Sequence, residues 1–159
     1  MVLARVVLVA ATVTSGLLAG VYLFYAHTVM PAVRALPDRP AVDTFAALDR
    51  RIVNPVFMAT AFLGAPVLTA TALAMSWNQP TRWWVAAALV LHLVATVVTA
   101  RVHLPRNAAA TAQAAGDERY SATTARVALD EPTWARWNLV RVTASVAALT
   151  ALAWALTLA

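Results

Sequence analysis

The chain has 159 residues, of which 62% are hydrophobic and only 12% are charged. Soluble domains are usually about 45–50% apolar and about 25% charged, so the composition excludes an ordinary soluble domain and predicts one membrane domain over residues 1–159. The net charge of +5 comes from arginines in short loops beside apolar blocks, which predicts a lipid bilayer and not nucleic acid as the partner. The lack of cysteine excludes disulfides, iron–sulfur clusters and thiolate-bound zinc.

Four apolar blocks are each long enough to cross a bilayer as an α-helix, which takes about 20 residues. The predicted fold class is therefore all-α, an integral membrane four-helix bundle in up-down order. Short extramembrane helices are expected in loops 1 and 3. The first block is too long for a signal peptide and is interpreted as a retained span. The predicted spans cover residues 3–30, 54–76, 83–104 and 134–158.

Span 1 carries small residues at a four-residue spacing. Gly16 and Gly20 form a GxxxG motif, which predicts close packing against another helix or against a second copy in a homo-oligomer. Tyr22 and Tyr25 are interpreted as anchors at the membrane interface. Pro31 is predicted to end the helix.

Loop 1 is predicted to hold a turn at residues 37–40 and a short surface helix over residues 43–51. The apolar side of that helix would carry Phe45, Leu48 and Ile52. Asn54 before a proline is a typical helix start, because asparagine caps and proline suits the first turn. Pro66 is predicted to kink span 2.

Span 3 follows a belt of tryptophans and ends in a polar segment. Its polar residues His92, Thr96, Thr99 and His103 lie at i, i+4, i+7 and i+11, which is one stripe of an α-helix. Pro105 is expected to stop the helix. The alanine-rich residues 107–126 of loop 3 predict one or two further helices over the end of the bundle. The belt consists of Trp77, Trp83 and Trp84.

The arginines set the expected orientation of the bundle. Loop 1 has four arginines, although it also carries Asp38, Asp43 and Asp49, and loop 3 has Arg106, Arg119 and Arg126. The opposite side has only Arg5 and Arg82. The positive-inside rule therefore places loops 1 and 3 in the cytoplasm and both termini outside, in the cytoplasmic membrane.

Up-down order brings polar residues of all four spans to one end of the bundle. On span 4, Trp134, Asn138, Arg141 and Ser145 again form one stripe, and Arg141 lies about 10 Å below the helix start. An arginine inside a membrane is a functional-site hypothesis by default. Its expected partner is Asp130, Glu131 or an anionic ligand. The other spans contribute His27, Asn54, His103 and Asn107 to the same end.

Each of these residues also has a purely structural interpretation. Arg141 can reach the interface or cap loop carbonyls, and Asn54 can serve as a cap alone. His27 can pack at the interface, and most tryptophans are belt anchors. His92 lies roughly 16 Å from His103 along the helix, so it is expected to be a packing residue outside any site.

Four motifs resemble a known family. Met30-Pro31, Asn54-Pro55, the segment His103–Asn107 and the segment Trp134–Arg141 are similar to those of anthrone oxygenase-like membrane proteins. The resemblance implies a monooxygenase of polyketide secondary metabolism that converts a polycyclic aromatic anthrone to the quinone. It implies O₂ as co-substrate and no metal or flavin cofactor.

The implied chemistry gives each polar residue a role. His103 would be the base that takes a proton from the anthrone methylene, and His27 a second base or proton relay. Arg141 and Asn138 would stabilise the enolate oxygen. The residues expected to position or stack on the substrate are Asn54, Asn107, Trp134 and Trp137.

Two other functions remain open from the residues alone. His27 and His103 lie at similar depth on different helices, as an axial pair of a haem or part of a copper site would require. Against this, no carboxylate lies within a span and di-iron spacing is absent. A non-enzymatic binding protein or transport accessory is the other alternative.

Overall fold

The computed structural model describes residues 2–116 and 121–159, so the predicted loop-3 arginine Arg119 lies outside the described residues. The described residues form helices joined by short connections and contain no strand. This confirms the predicted all-α class and the four-helix membrane bundle. The helices are α1 (Val2–Arg34), α2 (Asp38–Ile52), α3 (Pro55–Met75), α4 (Arg82–Ala114), α5 (Ala122–Leu129) and α6 (Glu131–Thr157).

Four helical segments are long and apolar enough to cross a membrane: α1, α3, α4 and the joined segment Ala122–Thr157. The predicted number of spans is therefore confirmed. Their ends differ, because α1 and α4 each run past a proline that was expected to stop the helix. The alanine-rich part of loop 3 does form two helices, but the first of them is the continuation of α4.

π-Helical turns explain why Pro31 and Pro105 do not end their helices. Such a turn covers Tyr25–Val29 in α1 and Thr99–His103 in α4, and each stops two residues before the proline. Proline lacks an N–H and its ring clashes with the carbonyl four residues back in a regular α-helix. In the wider turn the bonds run five residues back, which moves that carbonyl away and lets the helix continue.

A third π-helical turn interrupts α3 at Met58–Phe62. The sequence predicts a kink at Pro66, which lies four residues after this turn. Gly64 lies two residues after the end of this turn. A Cβ atom on Gly64 would lie 2.6 Å from the Ala59 carbonyl oxygen, so the backbone leaves no room for any side chain there. The irregular turn of α3 thus lies before Pro66, and it requires a glycine at position 64.

Helix α2 packs across one end of the bundle, together with α5 and the Leu104–Ala114 part of α4. We call these three segments the cap. Helix α2 begins at Asp38, earlier than predicted, because Pro40 fits the first helical turn. Leu48 is 37% exposed, against the prediction, since it lies about 90° around the helix from the centre of the buried face. That face holds Ala41, Val42, Phe45 and Ala46.

Ion pairs fasten the cap to the ends of the spans. Arg126 on α5 binds Asp38 (3.2 Å) and Glu131 (3.1 Å), and Arg34 also reaches Glu131 (3.5 Å). Asp130 pairs with Arg106 at 3.3 Å. These pairs occupy the two carboxylates at the start of α6.

In the other half of the bundle the spans pack through small apolar residues. The two glycines of the predicted GxxxG motif have different neighbours. The Cβ position of Gly16 lies 3.7 Å from Leu149 of α6, whereas Gly20 is exposed and has nothing within 4 Å. Gly16 therefore packs within the chain, and only Gly20 is left for the contact with a second copy that the sequence predicts.

Candidate functional site

A cavity of about 240 Å³ lies where the cap meets the four spans. Its walls are mainly apolar and aromatic, with a few polar groups from several helices. This is the usual composition of a small-molecule site. Residues of every span and of α2 contribute to it, among them Tyr22, Tyr25, Phe45, Asp49, Phe57, Thr99, His103, Asn107, Trp134 and Arg141.

Arg141 is a cation in the wall of this cavity. Its side chain is buried, at 6% exposure, although it lies within a membrane span. One terminal nitrogen donates to Thr99 Oγ1 (3.2 Å) and the other to Asn138 Oδ1 (2.7 Å). The guanidinium also stacks over the ring of Tyr22 at 4.3 Å. These contacts fix the orientation of the guanidinium. They do not neutralise its positive charge, because none of the three partners is a carboxylate.

The predicted carboxylate partner of Arg141 is wrong. Asp130 and Glu131 are bound by the arginines of the cap, and among the described residues no carboxylate forms an ion pair with Arg141. The buried Nε of Arg141 also has no hydrogen-bond partner in the described chain. A desolvated cation of this kind favours a bound anion or a developing oxyanion. Of the two partners predicted, the anionic ligand remains.

Asn138 is fully buried and forms a hydrogen bond with Arg141. Its Oδ1 accepts from Arg141, and its Nδ2 donates to the carbonyl of Tyr22 at 3.0 Å. The residue does not line the cavity. Asn138 therefore holds the guanidinium from outside the cavity, and its role as a donor to the oxyanion stays a prediction.

His103 lines the cavity from the π-helical turn of α4 and is 1% exposed. Its two ring nitrogens lie 3.3 Å from backbone carbonyls, Nδ1 from Val98 and Nε2 from Trp134. A neutral imidazole has one N–H, so one nitrogen must turn a lone pair toward a carbonyl oxygen. A protonated ring would donate to both. The two carbonyls thus hold the ring in one orientation in the cavity wall.

Trp134, on α6, lines the cavity and packs against Phe45 of α2. Its ring packs edge-on against His103, with centroids 4.7 Å apart. Its indole N–H donates to Asn107 Oδ1 (3.0 Å), and Asn107 donates in turn to Asp49 Oδ1 (2.6 Å). Thr111 adds a longer bond to Asp49 (3.4 Å). The predicted residues Trp134 and Asn107 therefore do meet in the site.

Asp49 is a cavity residue that the sequence analysis missed and treated only as a loop charge. It is half-buried and lies on the same face of α2 as Phe45 and Ile52. Asp49 follows Phe45 by four residues, and Ile52 follows Phe45 by seven. That shared face was the available signal. Without the docking of α2 on the spans, however, nothing distinguishes Asp49 from Asp43, which is exposed and pairs with Arg39.

Tyr22 and Tyr25 were expected to be interface anchors, and this interpretation is wrong. Tyr22 is 4% exposed and lies under the Arg141 guanidinium. Tyr25 lies at the start of the π-helical turn, and its ring packs on Trp134 with centroids 5.9 Å apart. Both rings face the cavity because their helix face is turned toward α6, so they give the site aromatic walls.

The model of one protein family, described as anthrone oxygenase, matches residues 49–151 of the chain. This is about two thirds of its length. The chain belongs to the anthrone oxygenase family. The matched part begins at the cavity residue Asp49 and includes His103, Trp134 and Arg141. No curated protein and no solved structure matches.

In this family member, four of the predicted site residues lie outside the cavity: Asn138, as described above, and also His27, Trp137 and Asn54. His27 is exposed, next to Thr28 (2.7 Å) and Phe24, because its side of α1 faces away from the bundle. Trp137, three residues after Trp134, is 37% exposed and does not line the cavity. Asn54 caps α3, accepting from the Phe57 N–H at 2.9 Å.

Metal-binding geometry is absent from the described residues, where no three His, Cys, Asp or Glu side chains come together. The two histidines considered as an axial pair for haem or copper have different surroundings, since His27 is exposed whereas His103 is buried and lines the cavity. His92 is buried lower in the bundle, 2.9 Å from Ser15 Oγ, and does not line the cavity.

Proposed function

We propose that this protein is a membrane-embedded, cofactor-independent oxygenase. Its substrate would be a polycyclic aromatic anthrone, or a similar phenolic compound, which it converts to the quinone with O₂. The observation that carries the proposal is the Arg141 guanidinium, which has no carboxylate partner among the described residues and lies in an aromatic cavity beside His103. Membership of the anthrone oxygenase family supports the substrate class.

The first step in this proposal is removal of a proton from the anthrone methylene. The carbon is acidic because the resulting negative charge moves onto the ketone oxygen. His103 would accept the proton, and its two carbonyl neighbours would stabilise the imidazolium. Arg141 would bind the enolate oxygen, where a single fixed donor contributes about 10²–10³ in kcat.

The second step joins the carbanion to O₂. A carbon–oxygen bond forms and gives a peroxide, and the oxygen–oxygen bond then breaks as the remaining methylene hydrogen is lost. One oxygen atom stays in the quinone and the other leaves as water. The substrate supplies all the electrons, so the reaction consumes no separate reductant.

The remaining cavity residues would hold the flat substrate. The rings of Trp134, Tyr22 and Tyr25 form walls suited to stacking on fused aromatic rings. Asn138 would keep the guanidinium in place, and Asn107 would fix the indole of Trp134. Rigid support of this kind matters because small displacements reduce catalysis.

The decisive experiment supplies anthrone to the protein purified in lipid nanodiscs. Oxygen uptake and anthraquinone absorbance are recorded together, with ¹⁸O₂ to trace the oxygen atoms. The expected result is one O₂ consumed per quinone and one labelled oxygen per quinone. His103→Gln should lower kcat by about 10²–10⁴, because the amide cannot take up the proton. Binding of anthrone without oxygen uptake above empty nanodiscs would instead indicate the non-enzymatic alternative.

We also propose that the cap lies on the cytoplasmic side of the membrane. The arginines of loops 1 and 3 support this orientation. The chain has no cysteine, so single cysteines report sidedness directly. In intact cells an impermeant maleimide should label the exposed position Gln79→Cys and not Ala47→Cys on α2. The reverse labelling would contradict the orientation.

A further inference from the structure

Two of the residues that line the cavity are also exposed on the outside of the bundle. Val53 is 62% exposed and Leu104 is 57% exposed, whereas every other lining residue is buried or half-buried. Val53 joins α2 to α3, and Leu104 follows the π-helical turn of α4. The cavity wall is therefore one side chain thick at these two positions.

The packing of α3 against α4 changes along their length. The Gly64–Met75 part of α3 packs well on the Arg82–Val98 part of α4, in the half of the bundle away from the cap. In the described chain, the beginning of α3 up to Phe62 makes no extensive contact with Thr99–Ala114. Both helices have π-helical turns at this level, where helices bend. The two spans thus separate beside the cavity.

The edge of this gap is apolar and lies at the depth of the lipid interface. The cavity-lining residues that these parts of α3 and α4 and the connection before α3 contribute beside the gap include Val53, Leu104, Phe57 and Met58, which are all apolar. Helix α3 has 21 residues, which corresponds to about 30 Å, the thickness of the hydrocarbon core. Val53, just before its first turn, therefore lies at the boundary between headgroups and acyl chains.

We propose that an apolar aromatic ligand enters the cavity sideways from the bilayer, through the gap between Val53 and Leu104. We call this gap the portal. The inference rests on the proposed function only for the aromatic nature of the ligand. Fused aromatic compounds concentrate in the bilayer, so a lateral entrance spares them the transfer through water.

The test uses the natural lack of cysteine in the chain. Val53→Cys and Leu104→Cys place a thiol on the portal, and benzyl methanethiosulfonate then attaches a bulky group that dithiothreitol removes. Val56→Cys and Val97→Cys are matched controls, because these valines are 71% and 58% exposed on α3 and α4 but do not line the cavity. Stopped-flow energy transfer from tryptophan to anthracene, supplied in liposomes, measures the rate of entry.

Labelling at the portal should slow anthracene binding about tenfold, and dithiothreitol should restore the rate. It should lower kcat/KM for anthrone by a similar factor and change kcat less, since access and not chemistry is blocked. Equal rates before and after labelling would overturn the proposal, as would equal slowing in the controls or no anthracene binding to the unmodified protein. A protein that binds anthracene through the portal but does not oxidise anthrone would refute only the proposed function.

Discussion

Replacement of Arg141 by methionine should separate catalysis from stability. Methionine keeps the length of the side chain and removes the charge. If the guanidinium binds the enolate oxygen, kcat should fall by about 10²–10³, or about 2.7–4 kcal/mol of transition-state stabilisation. Because the substrate still finds the same aromatic walls, KM should change less than kcat.

The stability of the same variant follows from the contacts of Arg141. A charged side chain inside a membrane span costs about 2.5–3.5 kcal/mol, which methionine spares. Against this, Asn138 Oδ1 loses its donor at 2.7 Å, and an orphaned buried acceptor costs about 1–3 kcal/mol. Thr99 is unaffected, since its hydroxyl still donates to Ala95. The two effects nearly cancel, so the unfolding temperature should move by only about 5 °C or less.

The assay pairs anthrone turnover with thermal unfolding in the same nanodiscs. Arg141→Lys is the control: it keeps a positive charge but loses the planar fork that reaches both Thr99 and Asn138. Its turnover should lie between those of the wild type and the methionine variant. If Arg141→Met retains more than about a tenth of the wild-type turnover while folded, the guanidinium does not stabilise the oxyanion and the proposed mechanism fails.

Four further variants, one of them a control, test the surroundings of the site. Gly64→Ala should lower the free energy of unfolding by about 1–3 kcal/mol, because the added Cβ would clash with the Ala59 carbonyl oxygen. Gly20→Ala is the control and should be tolerated, since nothing lies within 4 Å of its Cβ position. Thermal unfolding compares the two variants. Asn54→Ala should cost about 1 kcal/mol of stability through the lost cap and leave turnover of the folded protein unchanged. Asn107→Leu frees the indole of Trp134, so KM for anthrone should rise several-fold, and an unchanged KM would argue against that support.

Much of the site could be predicted from helical periodicity alone. The stripes through His103 and Arg141 are fixed by spacing, and lipid cannot satisfy them, so both had to face the bundle interior. Up-down order then placed them at one end. The same reasoning failed for His27, because a single polar residue near a span end can face either the bundle or the headgroups.

Asp49 and the two tyrosines show what periodicity does not contain. The position of Asp49 depends on how α2 docks across the bundle end, which is a tertiary choice made through Phe45 and its neighbours. Tyrosine near a span end is as typical of an interface belt as of a cavity wall. Only the contact of Tyr22 with Arg141, on a different helix, decides between them.

The prolines connect these local irregularities to the cavity. From the sequence they predict helix ends, as in soluble proteins, yet Pro31 and Pro105 lie inside continuous helices behind π-helical turns. In a membrane a broken helix leaves backbone groups without partners, so a wider turn is a less costly way to accommodate proline. Each of the three π-helical turns contributes to the cavity, through Tyr25, Met58 and His103 respectively. The same turns that accommodate the prolines therefore widen the bundle at the level where Arg141 lies.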